Sequence, residues 1–255
     1  MPDHSGAPSA VGCVVVGVDG SRAALNAVTW AAAEAGDRDV ALRVAHARAE
    51  PTHHCDDDID EVLARAEDAA RQADESVRVE GVRSVGSPSD VLVSESVGAS
   101  MVCIGSSPPP SEESPLFGRT ATEVARRAAC PVAIIRSRRD GTPQTDGVIT
   151  VVLSDEPCND ELVRVAMHEG RLRAATVRQV DQRIDSWIRR YPDVHVEITT
   201  DGSGVRCYRD AADPDPRIGL AVVGAGDAEA LGSLRMPNSH PIHGFPDCSV
   251  LIVRA

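Results

Sequence analysis

The chain has 255 residues, of which 42% are hydrophobic but only 2% aromatic, so its core must be built from Val, Ala, Leu and Ile, with few rings on which a base can stack. Its formal charge is −13, and all 26 basic residues are arginines, since lysine is absent. An acidic chain without a basic stripe is a poor partner for nucleic acid or an anionic membrane, and no apolar run approaches the ~18 residues of a membrane span.

Residues 1–10 are polar, lack a hydrophobic signal region and read as a disordered tail, which points to a cytoplasmic protein. The seven cysteines are scattered singly with no Cys-x-x-Cys pair, so reduced thiols are expected rather than a disulfide framework or a zinc site. The length accommodates one large domain or two of about 100 to 150 residues, and the pattern below favours two.

The run 12–18, GCVVVGV, is apolar almost without interruption, as in a strand buried on both faces of a parallel sheet. Asp19, Gly20 and Ser21 turn the chain out of it. Ala24, Ala27, Val28, Ala31 and Ala35 then recur at helical spacing, ending near Gly36. Residues 40–47 form the second strand, with His46 near its end as a satisfied sheet-end histidine. A polar segment follows, with His53, His54, Cys55 and the acidic run Asp56, Asp57 and Asp58. Adjacent ligands on one short segment cannot close a tetrahedron, so this reads as a solvated loop and no metal is expected. The next helix carries Ile59, Val62, Leu63, Ala66 and Ala70 on one side, and residues 77–85 alternate as a third strand. Ser87 as N-cap, Pro88 at the first helical position and Asp90 in the first turn start the helix of residues 91–97.

The stretch 105–136 is the centre of the organisation. The apolar run 101–104 ends in Gly105, a proline-rich loop follows, and Thr120 with Glu123 fits a capping box ahead of the stripe Val124, Ala125 and Ala128. Pro131 stops that helix and residues 132–135 form another strand. A loop that leaves a parallel strand and enters a helix N-terminus gathers free N–H groups and the positive end of a dipole, which suits a phosphate. The order βαβαβαβαβ predicts a five-stranded doubly wound parallel sheet with right-handed crossovers.

Residues 139–147 are a linker by composition, after which the order returns in worn form. Strands are expected at 148–153, 172–177, 194–199, 220–224 and 248–253. Helices are expected around Leu162, Val163, Ala166 and Met167, and around Val180, Ile184, Trp187 and Ile188. The result is an internal repeat of about 120 residues. In its second copy Pro237, Pro241, Gly244 and Pro246 rule out a regular helix between the last two strands, and with it a phosphate site.

Gly105, position 108, Gly118 and the run Cys130, Pro131 and Val132 fall at the spacing of the universal stress protein family, whose nucleotide loop reads Gly-x2-Gly-x9-Gly followed by Ser or Thr. The chain resembles a tandem universal stress protein of the actinobacterial, mycobacterial kind. The fold class implied is α/β, with two tandem Rossmann-like domains of the adenine nucleotide alpha hydrolase-like type. The family domain would span 11–138 and a degenerate, eroded copy 148–255. The resemblance implies a nucleotide across the strand ends, at positions matching Asp19, Ala47, Ile104, Gly105, Gly118, Arg119 and Thr120. It also implies a cytosolic protein of stress or dormancy that dimerises through sheet edges, here residues 132–135 or 251–253, unless the two domains cover each other.

The chain departs from that pattern at two positions. Pro108 stands for the second glycine, with no N–H to donate and no access to positive φ, and Arg119 stands for the hydroxyl residue. Glu112 and Glu113 add negative charge to the loop, which Arg119 offsets in part or answers by filling the phosphate pocket itself. Asp19 either accepts from a ribose hydroxyl or an adenine amino group, or caps the first helix. Cys103 and Cys130 read as inert core residues, and Cys55, Cys158 and Cys207 as exposed ones. No Gly-x-Ser-x-Gly, His-Glu-x-x-His, P-loop or Gly-x-Gly-x-x-Gly motif is present. The leading expectation is a non-enzymatic stress protein working through protein contacts, as a homodimer or with another protein, with a weakened pocket. The alternative is a sensor of ATP or AMP, and a weak ATP hydrolase comes third, having no general base in place.

Overall fold

The structure is a computed structural model that describes residues 12–48, 56–111, 114–153, 159–180, 193–194, 196–199, 218–229, 231–233 and 248–254. In chain order its elements are β1 (Val14–Gly17), α1 (Arg22–Asp37), β2 (Leu42–Arg48), α2 (Asp56–Ala73), β3 (Val79–Val85), α3 (Pro88–Glu95), β4 (Met101–Ser106), α4 (Arg119–Arg127) and β5 (Val132–Arg136). Beyond residue 147 come β6 (Val148–Val152), α5 (Asn159–Leu172), β7 (Val177–Val180), β8 (Val196–Thr199), β9 (Ile218–Gly224) and β10 (Ser249–Val253). Two 3-10 turns, Ala225–Glu229 and Leu231–Ser233, follow β9.

The described strands form one sheet in the order β3-β2-β1-β4-β5-β10-β9-β6-β7-β8. Every pairing is parallel except the join of β5 with β10, where Val132 faces Ile252, Ala133 faces Leu251 and Ile134 faces Val250 in antiparallel register. The fold is thus α/β with a mostly parallel sheet, and the order outward from β5 is repeated outward from β10. The two apolar edges expected to seek a partner pair with each other, so each supplies the hydrogen-bonding strand that an unpaired edge lacks.

Continuous apolar runs become strands because helices cover both faces of the sheet. Val14 and Val16 enter one core with α1, α2 and α5, while Val15, Val102 and Ile104 enter the other with residues of α3, α4 and the 3-10 turns. Local capping explains the helix starts. Ser21 accepts from the Ala24 N–H at 3.1 Å, and Ser87, ahead of Pro88, accepts from the Asp90 N–H at 3.2 Å. Residues 139–147 are tied to the first half of the chain. An isolated bridge joins Ser137 to Pro143, and the Asn26 amide donates to the Ser137 hydroxyl and the Gly141 carbonyl.

Several expectations need correction. The capping box at Thr120 is not formed: α4 starts at Arg119 with Gly118 as N-cap and no side-chain cap. The strand expected at 172–177 lies at Val177–Val180, because α5 runs through Leu172 and ends in Ala174 at φ 50, a left-handed stop without glycine. Asp56, Asp57 and Asp58 open α2 rather than lying in a loop. The helix expected around Ile184, Trp187 and Ile188 lies outside the described residues, as do residues 1–10, His53, His54, Cys55, Glu112, Glu113, Cys158 and Cys207. Among the described residues no helix is long and apolar enough to cross a membrane.

Candidate functional site

In the order β3-β2-β1-β4-β5 the sequence of strand addition reverses between the parallel neighbours β1 and β4, and the crevice at their C-terminal ends is where an open α/β sheet offers a ligand site. A cavity of about 410 Å3 occupies this place. All seven residues singled out above, Asp19, Ala47, Ile104, Gly105, Gly118, Arg119 and Thr120, line it, together with Pro108, Pro109, Pro110 and Leu116. The resemblance thus selected residues that the fold brings together from four separate segments.

The two glycines of the loop are kept for different reasons. A Cβ on Gly105 would overlap the Ala23 carbonyl and stand 2.6 Å from the Ala24 nitrogen, so β4 can end against the first turn of α1 only with glycine there. Gly118 has an ordinary φ of −66, and a Cβ on it would meet nothing within 4 Å. Space is therefore left open at the start of α4, where no side chain caps the helix and Gly118, Arg119, Thr120 and Ala121 line the cavity. Uncapped first-turn N–H groups and the helix dipole favour an anion at this point.

Asp19 does not cap α1, a role taken by Ser21. Its Oδ1 accepts from the Ser21 N–H at 2.9 Å, which sets the exposed carboxylate at the mouth of the crevice. Arg119 does not fill the pocket with its guanidinium. Its Nε donates to Glu123 at 3.0 Å across one helical turn, and its side chain is 90% exposed. Glu123, held by Ser89 and then Arg119, is depressed below the usual carboxylate range. Pro108, Pro109 and Pro110 bring no N–H groups to the cavity wall. His46 is satisfied at the sheet end, since its Nδ1 lies 2.8 Å from the Val18 carbonyl and donates to it.

Among the described residues, the ionisable side chains lining the cavity are Asp19 and Arg119, with no histidine, cysteine or glutamate among them. The buried cysteines among the described residues, Cys13, Cys103, Cys130 and Cys248, do not line the cavity. Burial pushes the Cys130 thiol up to about 11 and that of Cys103 well above its ordinary value.

Two features of the site escaped the sequence. Arg136, the last residue of β5, is 1% exposed. Its guanidinium donates to the Leu116 carbonyl and lies 5.4 Å from the Phe117 ring centroid, so it anchors the end of the proline loop from below. On the opposite face Glu34 of α1 and Glu169 of α5, both fully buried, close around the Arg173 guanidinium, which stacks 4.2 Å from the Trp30 ring centroid. Arg38 pairs with Glu34, and His168 lies 3.3 Å from Asp37. Burial, and then the neighbouring Glu34, push Glu169 up to about 8, while burial, and then Arg38, hold His168 below its ordinary value. Glu34, His168 and Glu169 bring donor atoms within 4.8 Å of one another, but the cation between the carboxylates is Arg173.

Comparison with known proteins gives the geometry its kinship. Residues 13–136 match the Universal stress protein family. Universal stress protein Rv2624c of Mycobacterium tuberculosis is 36% identical over 94% of this chain and 96% of its own length. Universal stress protein Rv3134c of the same organism is 30% identical over 97% of this chain and 98% of its own. A universal stress protein structure from Archaeoglobus fulgidus superposes with a TM-score of 0.62 over 95% of this chain and 96% of that one, and at 12% identity it speaks for the fold alone. Since the likeness to Rv2624c runs along nearly all of both sequences, the chain belongs to the universal stress protein family.

Proposed function

We propose that this universal stress protein is a non-enzymatic, cytoplasmic component of a stress or dormancy response whose first domain, residues 11–138, binds an adenine nucleotide. Residues 148–255 form its degenerate copy, attached through 139–147. The observation that carries this reading is the uncapped start of α4 opening onto a cavity of about 410 Å3, with open space at Gly118. A phosphate accepts from the first-turn N–H groups there, and Asp19 accepts from a ribose hydroxyl or the adenine amino group. Ala47 and Ile104 offer apolar contact to the base. The three prolines leave the α4 end as the donor-bearing end of the pocket.

The non-enzymatic part rests on the cavity's chemistry. Asp19 already accepts from Ser21, and Arg119 is engaged with Glu123 on the solvent side. General acid-base catalysis needs a poised group within hydrogen-bond reach of the reacting proton, and phosphoryl transfer needs a base or metal carboxylates. The described lining supplies one carboxylate, the exposed Asp19, with no second carboxylate beside it to share a metal and no histidine.

Native mass spectrometry of the protein purified without nucleotide, followed by titration with AMP and ATP, tests this reading. Saturable one-to-one binding is expected, weakened in Asp19→Ala. A protein that stays empty at millimolar nucleotide supports a second reading, favoured by Pro108, Pro109 and Pro110. In that reading the pocket is vestigial and the protein works through contacts with a protein partner or a second copy, on surfaces other than the joined β5 and β10 edges.

A further inference from the structure

We infer that the second half of the chain is the built-in positioning partner of the first-half pocket, so that ligand occupancy and the seating of residues 225–229, 231–233 and 248–254 are linked. This rests on the pocket reading above and adds how the site is regulated. Two separate contact chains carry it.

The first reaches the loop. The Ser249 hydroxyl, fully buried at the start of β10, accepts from the backbone N–H of Arg136 at 3.0 Å and donates to the Gln144 carbonyl at 2.7 Å. Arg136 in turn donates to the Leu116 carbonyl under Phe117, two residues before Gly118. A residue of the second half is therefore one side chain removed from the pocket wall.

The second chain reaches α4, whose N-terminus is the anion site. Leu231 and Ala228 of the 3-10 turns are buried in the same cluster as Ala121 and Val124 of α4. Glu229 pairs with Arg126 at 2.9 Å, and the Arg254 guanidinium donates to the Ala125 carbonyl in the last turn of the helix. A Cβ on Gly232 would stand 3.1 Å from the Thr122 methyl, while the Thr122 hydroxyl donates to the Gly118 carbonyl at 3.1 Å. A shift of the turns therefore moves α4, and a ligand that fixes the start of α4 fixes the turns. Linkage makes this coupling reciprocal in binding free energy. It also gives an eroded second copy a task that needs no ligand of its own.

The experiment is calorimetric titration of the full chain with AMP and ATP in Ser249→Ala, Ser249→Thr and Glu229→Ala. Glu161→Gln, on the exposed side of α5, serves as control. Binding about tenfold weaker in Ser249→Ala, restored toward wild type in Ser249→Thr, with Glu161→Gln unchanged, is the expected result. Faster amide exchange over residues 114–127 in unliganded Ser249→Ala should accompany it. Wild-type affinity in Ser249→Ala, or loss of affinity equally in Glu161→Gln, overturns the coupling. If wild type binds no nucleotide the pocket reading falls on its own. Amide exchange then decides the contact chains: faster exchange over 114–127 in Ser249→Ala supports them, and unchanged exchange overturns them.

Discussion

On one face of the sheet the two halves of the chain meet through buried charge, with Glu34 of α1 and its C-cap Arg38 against Glu169 of α5 and Arg173 just beyond it. On the other face they meet through apolar packing, with Leu231 and Ala228 against Ala121, Val124 and Phe117. The ionic face is selective, because buried charges tolerate few arrangements, but desolvation consumes much of its Coulombic gain. The apolar face is cohesive and leads to the pocket. Stability with a pH dependence therefore belongs to the α1–α5 side, and ligand dependence to the α4 side.

The largest effect is expected on the ionic face. Arg173→Ala takes the shared cation from Glu34, which keeps Arg38, and from Glu169, and should lower stability by about 3 kcal/mol in urea unfolding. A loss below about 1 kcal/mol would mean that water replaces the guanidinium easily and that the cluster is not a dry joint. Leu231→Ala on the apolar face removes a fully buried side chain and should cost about 3 kcal/mol. That loss should vary less with pH than the loss on the ionic face, where the buried Glu169 is pushed up to about 8. Gly105→Ala, at the pocket rim packed on α1, should cost about 1 to 3 kcal/mol, because the methyl group overlaps backbone that a side-chain rotation cannot clear.

A gentler effect spreads over pH. In the folded protein Glu169 titrates at about 8, above its unfolded value of 4.5, so between these the folded state holds a proton that the unfolded state has released. Its contribution is complete below 4.5, declines as pH rises toward about 8, and is level beyond. His168 acts in the opposite sense: its folded value lies below 6.5, so it removes stability as pH falls through that region. Glu169→Gln should flatten the decline on the alkaline side and leave the acid-side slope of His168. An unchanged pH profile in Glu169→Gln would show that the carboxyl is already ionised in the folded protein.

Much of this was legible in the residues. GCVVVGV announced a strand covered on both faces, and Ser87 before Pro88 announced a helix start, because both signals are local. Thr120 misled because the capping-box pattern fits Glu123, whereas in the fold Glu123 turns to Arg119 and Gly118 leads the helix. The end of α5 is not marked in the sequence, because Ala174 adopts the left-handed conformation with no glycine or proline there. The Glu34–Arg173 pair spans 139 positions, and in sequence each member is an ordinary charged residue of an amphipathic helix. Arg136 was hidden likewise, since its burial depends on a loop and on a second strand, β10, that the chain reaches only at residue 249.

The smallest effect on stability accompanies the most direct test of the central claim, which is the pocket at the start of α4. Gly118→Val keeps an accessible φ and its Cβ meets nothing within 4 Å, so unfolding should shift by no more than about 1 kcal/mol, the loss of a favoured N-cap glycine. The valine side chain nevertheless occupies the space assigned to the phosphate. Calorimetric titration of wild type and Gly118→Val with AMP and ATP, side by side, should give saturable binding in the first and none in the second. Equal binding in both would place the ligand elsewhere, and no binding in either would leave a folded cavity without a nucleotide to hold.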